Sequence, residues 1–375
     1  MLAYGARIVG DDARTRIVID FDRKPSFSIH YVTNPERIVI DLPATAFGFP
    51  PKDLPAKGLF KDIRYGAMDE NSARIVLTPI KPVKIGMARS QADEDAKGFR
   101  LVLDAEITTK EELAELSKNQ SWSEPSAQDD ASSTVKEKVI SSAPGDFIVA
   151  VDAGHGGIDT GAIGADTKTL EKDVTLNFAK ALVEHLNQES GIKAFLTRDD
   201  DTFLSLSERV EIARQHHASL FVSMHADTLK QKDIRGATVY TISDKASDKL
   251  AAELADRENN SDQVAGKQAV SEPPVVADIL MDLTRRETQA FSISLAQNVL
   301  SSFKDQVGTI NNPHRHAGFR VLQAPDIPSI LLELGFLSNA EDEKLLVDPA
   351  WRDKIAGLLT NAIKQYKVAF ATNGG

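Results

Sequence analysis

The sequence predicts two domains: an N-terminal all-β sandwich, then an α/β domain with a mostly parallel central sheet flanked by helices. Three observations predict it. A short strand phrase recurs through the first hundred residues, a polar stretch follows, and from Asp146 onward apolar strands alternate with amphipathic helices. A chain of 375 residues accommodates two domains at roughly 100 to 200 residues each.

Residues 5–105 carry the phrase as Arg16-Ile17-Val18-Ile19, Arg37-Ile38-Val39-Ile40, Arg74-Ile75-Val76-Leu77 and Arg100-Leu101-Val102-Leu103. Its spacing is irregular, so it reads as strand chemistry and not as a solenoid repeat. Phe27, Ile29 and Tyr31 alternate with Ser28 and His30, as a strand with one buried face does. Several short strands of this kind make a sandwich. Residues 106–145 read as a linker: a short helical pattern near Glu111 to Leu116 gives way to Ser, Asp, Gln, Pro and Ala, which bury too little apolar surface to offset their ordering entropy.

The α/β domain spans 146–370. Phe147 to Val151 is a wholly apolar strand leading into the loop Asp152-Ala153-Gly154-His155-Gly156-Gly157. A helix opens at Glu171 with Val174, Phe178, Leu182 and Leu186 on one face and Gly191 beyond its end. A strand at Ala194 to Leu196, a helix at Leu206 to His216 and a strand from Leu220 into His225 follow. Further strands are expected at Ala237 to Ile242, Phe319 to Leu322 and Ile330 to Leu334, before a C-terminal helix. Asn311 to His316 reads as a polar loop, with His314 and His316 facing substrate or solvent. This alternation implies a largely parallel sheet, and such sheets gather ligands beyond the carboxyl ends of their strands.

Composition narrows the function. There is no cysteine, so disulfides and thiolate chemistry are excluded and any metal site must use His, Asp or Glu. A formal net charge of −11 argues against nucleic acid as a partner. No apolar run reaches the roughly 20 residues of a membrane-spanning helix. The opening residues lack a signal-peptide pattern, which leaves a cytosolic protein or a removed signal.

His155, His225 and Glu333 all fall at or just after strand ends, and Glu171 opens a helix beside the first loop. Catalytic zinc takes about three protein ligands from His and Asp or Glu and keeps one position for water. His155, Glu171 and His225 are therefore candidate ligands. Each has a plainer reading: Glu171 as a favourable charge at a helix N-terminus, His225 as a strand-end histidine bonded to backbone. Glu333 stands within the apolar run Ile330 to Leu337, where a carboxylate is costly unless paired or working. A glutamate there can move a proton in a metal-assisted hydrolysis such as that of an amide.

The α/β half resembles the zinc-dependent N-acetylmuramoyl-L-alanine amidases that separate daughter cells in Gram-negative bacteria. The matching phrases are Asp152 to Gly157 with Asp159, Gly161 and Ala162, then Leu170-Glu171-Lys172, Leu196-Thr197-Arg198 and Glu208-Arg209, then Ser223-Met224-His225-Ala226 and Pro328 to Asn339. The resemblance implies one Zn2+ held by His155, Glu171 and His225, with Glu333 as the catalytic carboxylate. It departs at Ala153, where the family usually has Pro, and at Asp227, where it usually has Asn. The first domain resembles the AMIN domain, which implies targeting to peptidoglycan at the septum. The resemblance further implies a periplasmic monomer with peptidoglycan as substrate and a LytM-type activator as partner.

Residues about 245–290 form a long helical insertion between two strands, where simpler relatives have a short connection. The resemblance implies that it folds over the metal, an acid of the insertion occupying the open position. Glu258, within Arg257-Glu258-Asn259, is the first candidate and Glu272 the second. Two other functions compete: a metallopeptidase acting on stem peptides, and a non-catalytic peptidoglycan-binding module. The wide spacing of His155 and Glu171 opposes the first, and the complete set with His225 and Glu333 opposes the second.

Overall fold

The computed structural model describes residues 1–33, 35–69, 71–92, 98–120, 146–266 and 279–372. The chain divides into two compact units. The first holds β1 (Leu2–Gly10), β2 (Arg14–Phe21), β3 (Ser28–Thr33), β4 (Glu36–Pro43), β5 (Ala46–Phe47), β6 (Phe60–Ala67), β7 (Ser72–Pro79), β8 (Val83–Ala92) and β9 (Phe99–Ile107), then α1 (Lys110–Asn119). They form a five-stranded sheet, β5-β1-β2-β9-β8, and a four-stranded sheet, β3-β4-β7-β6. The four Arg-Ile-Val phrases lie in β2, β4, β7 and β9, strands with a partner on each side. Period two explains their packing. Ile17, Ile19, Ile38, Ile40, Ile75, Leu77, Leu101 and Leu103 all enter one core.

Part of the expected linker is ordered helix. Thr109 caps α1 by accepting from the backbone of Glu112, Leu113 is buried in the β core, and the Gln120 side chain bonds the backbone of Tyr31 at 2.7 and 2.9 Å. One apolar position per turn is enough to dock this short helix. The remainder of the linker, residues 121–145, lies outside the described residues.

The second unit runs β10 (Phe147–Ala153), α2 (Glu171–Asn187), β11 (Ile192–Leu196), α3 (Leu206–Gln215), β12 (Leu220–His225), β13 (Ala237–Ile242) and α4 (Lys249–Glu258); α5 (Ser261–Val264) follows and belongs from Asp262 to the first unit, and the second resumes with α6 (Ile279–Phe303), β14 (Thr309–Ala317), β15 (Ser329–Glu333), α7 (Ala340–Val347) and α8 (Pro349–Thr372). The sheet order is β11-β10-β12-β15-β13-β14, parallel except where β13 meets β15. One face packs α2, α6 and α8 through Phe178, Leu182, Val299 and Leu359. The other packs α3 and α4 through Ala213, Leu254 and Ala255. Both faces of β10 and β12 are thus covered, which is why every residue of those strands is buried and most are apolar.

Two sequence expectations fail. Phe319 to Leu322 is no strand: Arg320–Leu322 is a 3-10 turn, its apolar residues buried against α3. Asn311 to His316 is no loop: it lies in β14, the edge strand, with His314 opposite Val239 and His316 opposite Thr241. An edge strand needs no apolar alternation, so its polar sequence hid it. Among the described residues, no helix is long and apolar enough to cross a membrane.

Candidate metal centre

Adjacent strand ends bring the predicted residues together. Strands β10, β12 and β15 are neighbours, and His225 pairs with Glu333 across β12 and β15. His155 lies just past β10, and α2 starts with Glu171. One ligand atom each from His155, Glu171, His225 and Glu258 lies within 4.8 Å of the others, and all four residues are buried.

Glu171 sits between the imidazoles. Its Oε2 is 3.2 Å from His155 Nε2 and its Oε1 is 3.3 Å from His225 Nδ1. The same oxygens accept the backbone N–H groups of Ala162 and Ala226, both at 2.8 Å. Burial alone raises a carboxyl pKa, but the two histidines and their contacts hold Glu171 well below the ordinary value. Glu258 Oε2 reaches the same ring atoms, 3.5 Å from His155 Nε2 and 3.1 Å from His225 Nδ1. Burial lowers the pKa of His225, yet Glu258 and Glu171 more than offset it and raise the imidazole.

Two glycines make the close approach possible. A Cβ on Gly154 would meet the His225 ring at 2.5 Å. One on Gly161, already at φ 62°, would meet His155 and Glu171 at 2.6 and 2.7 Å. His155 itself has φ 62°, a left-handed backbone that costs a non-glycine residue about 1–2 kcal/mol. That conformation directs its ring into the cluster.

The donor chemistry fits a divalent transition metal. Two imidazole nitrogens and two carboxylate oxygens converge in a buried space, and His225 Nδ1 has no hydrogen-bond partner among the described residues although carboxylate oxygens surround it. Without a cation, such a concentration of carboxylates repels itself. Zinc accepts this set of four, two nitrogens and two oxygens.

Glu333 stands beside this cluster, wholly buried. Its Oε2 accepts the backbone N–H of Asp227 at 3.0 Å, while Oε1 has no hydrogen-bond partner among the described residues. Burial, then the charges of Glu171, Asp227 and Glu258, push its pKa well above the usual carboxylate range. Asp227 is raised to about 7 by burial and the charges of Glu171 and Glu258, with Arg257 opposing. Its Oδ2 lies 2.7 Å from Arg257 Nη2, an ion pair joining the β12 loop to α4.

The sequence marked His155, Glu171, His225, Glu258 and Glu333, and all five converge. Glu272, the second insertion candidate, lies outside the described residues, as do residues 267–278 of the insertion. His314 is committed to Thr241, 3.1 Å away on the neighbouring strand. Sequence reasoning gave no role to Arg198 and Arg209, although their phrases were noted. Both are buried beneath the His155 loop, and an arginine in a strand-to-helix connection (Arg198) or in a surface helix (Arg209, in α3) is too common to mark them.

The family model for N-acetylmuramoyl-L-alanine amidase matches residues 149–365, and that for the AMIN domain matches residues 5–103. Over 220 residues, the chain is 42% identical to the N-acetylmuramoyl-L-alanine amidase AmiA of Salmonella typhimurium, covering 58% of this chain and 75% of that protein. The amidase AmiC of Escherichia coli O6:H1 is 30% identical over 380 residues, 96% of this chain and 88% of that protein. The probable amidase AmiB of Haemophilus influenzae is 37% identical over 215 residues, 56% of this chain and 50% of that protein.

Proposed function

Since the chain belongs to the N-acetylmuramoyl-L-alanine amidase family and acts on peptidoglycan, we propose that it is a zinc hydrolase kept inactive at rest by its own helix α4. The observation that carries this reading is the convergence of His155, Glu171, His225 and Glu258 within 4.8 Å. Three of the four would hold the ion, and Glu258 would take the position that the amide substrate needs.

His155, Glu171 and His225 would hold the zinc, which would supply Lewis-acid polarisation of the scissile carbonyl. The chain's own residues move the proton. Glu333 Oε2 is fixed by the Asp227 N–H, leaving Oε1 to take a proton from the attacking water. Water oxygen bonds the carbonyl carbon, the carbon–nitrogen bond breaks, and Glu333 returns the proton to the departing alanine nitrogen.

Blocking by α4 is supported by what holds the helix. Leu254, Ala251 and Ala255 are buried in the core with Tyr240 and Phe319, and Arg257 pairs with Asp227 one residue before Glu258. Leu254 alone contributes about 1.5–3 kcal/mol by burial. Activity then requires a partner that draws α4 away, and a LytM-type activator fits that role by family resemblance. The same resemblance supports a periplasmic location, work in daughter-cell separation, and targeting to septal peptidoglycan by the AMIN domain.

The reading is tested on purified muropeptides with the zinc-loaded chain carrying Glu258→Ala. Intact stem peptides with a free N-terminal alanine are the expected product. Shortened stems still attached to muramic acid would make it a peptidase instead.

A further inference from the structure

We infer that Arg198 and Arg209 are positioning residues of the metal centre, two buried guanidiniums that hold His155 in its left-handed backbone and tie its loop to the start of α2. The inference rests on the metal reading above, but neither arginine is a ligand in it. Arg209 is 1% exposed, and its Nη1 donates to Asp152 Oδ1 at 2.9 Å and to the carbonyl of Ala153 at 2.7 Å. Its Nη2 donates to the carbonyls of His155 and Leu204 at 2.8 and 3.0 Å, and its Nε also reaches Leu204, at 3.1 Å.

Arg198, 4% exposed, approaches the same loop. Its Nε donates to the carbonyl of Ala153 and its Nη2 to that of Gly154, both at 3.0 Å. The same Nη2 donates to the carbonyl of Lys172 at 2.9 Å and lies 3.3 Å from Thr175 Oγ1. One guanidinium therefore bonds both the segment that carries His155 and the helix turn that carries Glu171. Nη1 reaches the carbonyl of Asp200 at 2.8 Å.

Three consecutive carbonyls, from Ala153 to His155, thus point at cations below, and the His155 ring points into the cluster on the other side. A histidine at φ 62° leaves that conformation unless its surroundings impose it. Only a planar fork with five donors reaches this many acceptors at fixed angles; a lysine keeps the charge and loses the geometry. Asp152 completes the arrangement, accepting from Thr197 and Ser223 at 2.6 and 2.7 Å as well as from Arg209. Burying two cations with one carboxylate in direct contact is costly, and orienting a ligand-bearing loop gives that cost a purpose.

The test measures zinc affinity of the full-length apoprotein by competition with a chromophoric chelator, alongside thermal unfolding of the metal-free form. Arg209→Lys should weaken zinc binding about 10- to 100-fold, the range for lost groups that orient ligands. In a His155→Ala background the same change should weaken it less than about twofold, because the group acted through His155. An equal loss in both backgrounds would make Arg209 a general structural residue and overturn the inference, as would affinity unchanged in Arg209→Lys. If Arg209→Lys does not fold, Arg198→Lys leaves the Asp152–Arg209 pair intact and must weaken zinc binding about 10-fold or more, and by less in the His155→Ala background, where only its bonds to the turn that carries Glu171 still count; affinity unchanged, or an equal loss in both backgrounds, would overturn the inference. Failure of the parent chain to bind zinc would instead refute the metal reading.

Discussion

Replacing Arg257 with glutamine should raise the resting activity of the full chain about 5- to 30-fold. Arg257 Nη2 lies 2.7 Å from Asp227 Oδ2, the arginine side chain 43% exposed and the aspartate 7%. Fully exposed pairs contribute about 0.2–1 kcal/mol, and breaking buried ones costs about 3–5. A pair half in water lies between, at about 1–2 kcal/mol, and 1.4 kcal/mol is a tenfold change in the open population. The sign is reinforced by what remains. Without Arg257, the Asp227 carboxyl rises further above about 7 and takes up a proton, so it no longer offers a charge to α4. The apolar face of α4 stays buried, so release is partial and Glu258→Ala should activate further. The assay is release of soluble fragments from dye-labelled sacculi by zinc-loaded protein without an activator. If neither variant exceeds the parent while both bind zinc one to one and unfold at the parent temperature, α4 does not block the site.

Three further outcomes are expected. Glu333→Gln should retain zinc yet lose about 10²- to 10⁴-fold in turnover, as removal of a proton-transfer group does; retained turnover would remove Glu333 from the mechanism. Stripping zinc with a chelator should lower stability by about 4 kcal/mol relative to protein at a thousandfold excess over Kd, seen by calorimetry; an unchanged transition would mean that nothing binds the folded centre. Leu182→Ala, which empties a fully buried position on α2, should cost about 2–5 kcal/mol in denaturant unfolding, and a loss under 1 would mean that α2 does not depend on this face.

The sequence by itself determined the features that local chemistry writes. Period two placed the Ile and Leu residues of β2, β4, β7 and β9 in the core, and period 3.6 placed Phe178, Leu182 and Leu186 on the buried face of α2. His155, His225 and Glu333 could be singled out because each is a polar residue at or just past the end of a largely apolar strand. Tertiary structure alone decided the rest. The polar edge strand β14 and the 3-10 turn at Arg320–Leu322 depend on which neighbours a short segment finds, and periodicity over four or five residues does not report that. Arg198 and Arg209 answer to backbone carbonyls up to 56 residues away, and a carbonyl is the same in every residue, so no spacing announces it. The pairing of Arg257 with Asp227 likewise exists only because α4 folds back over the strand ends. Side-chain type and period are carried along the chain, whereas the meeting of distant groups follows from sheet order and register.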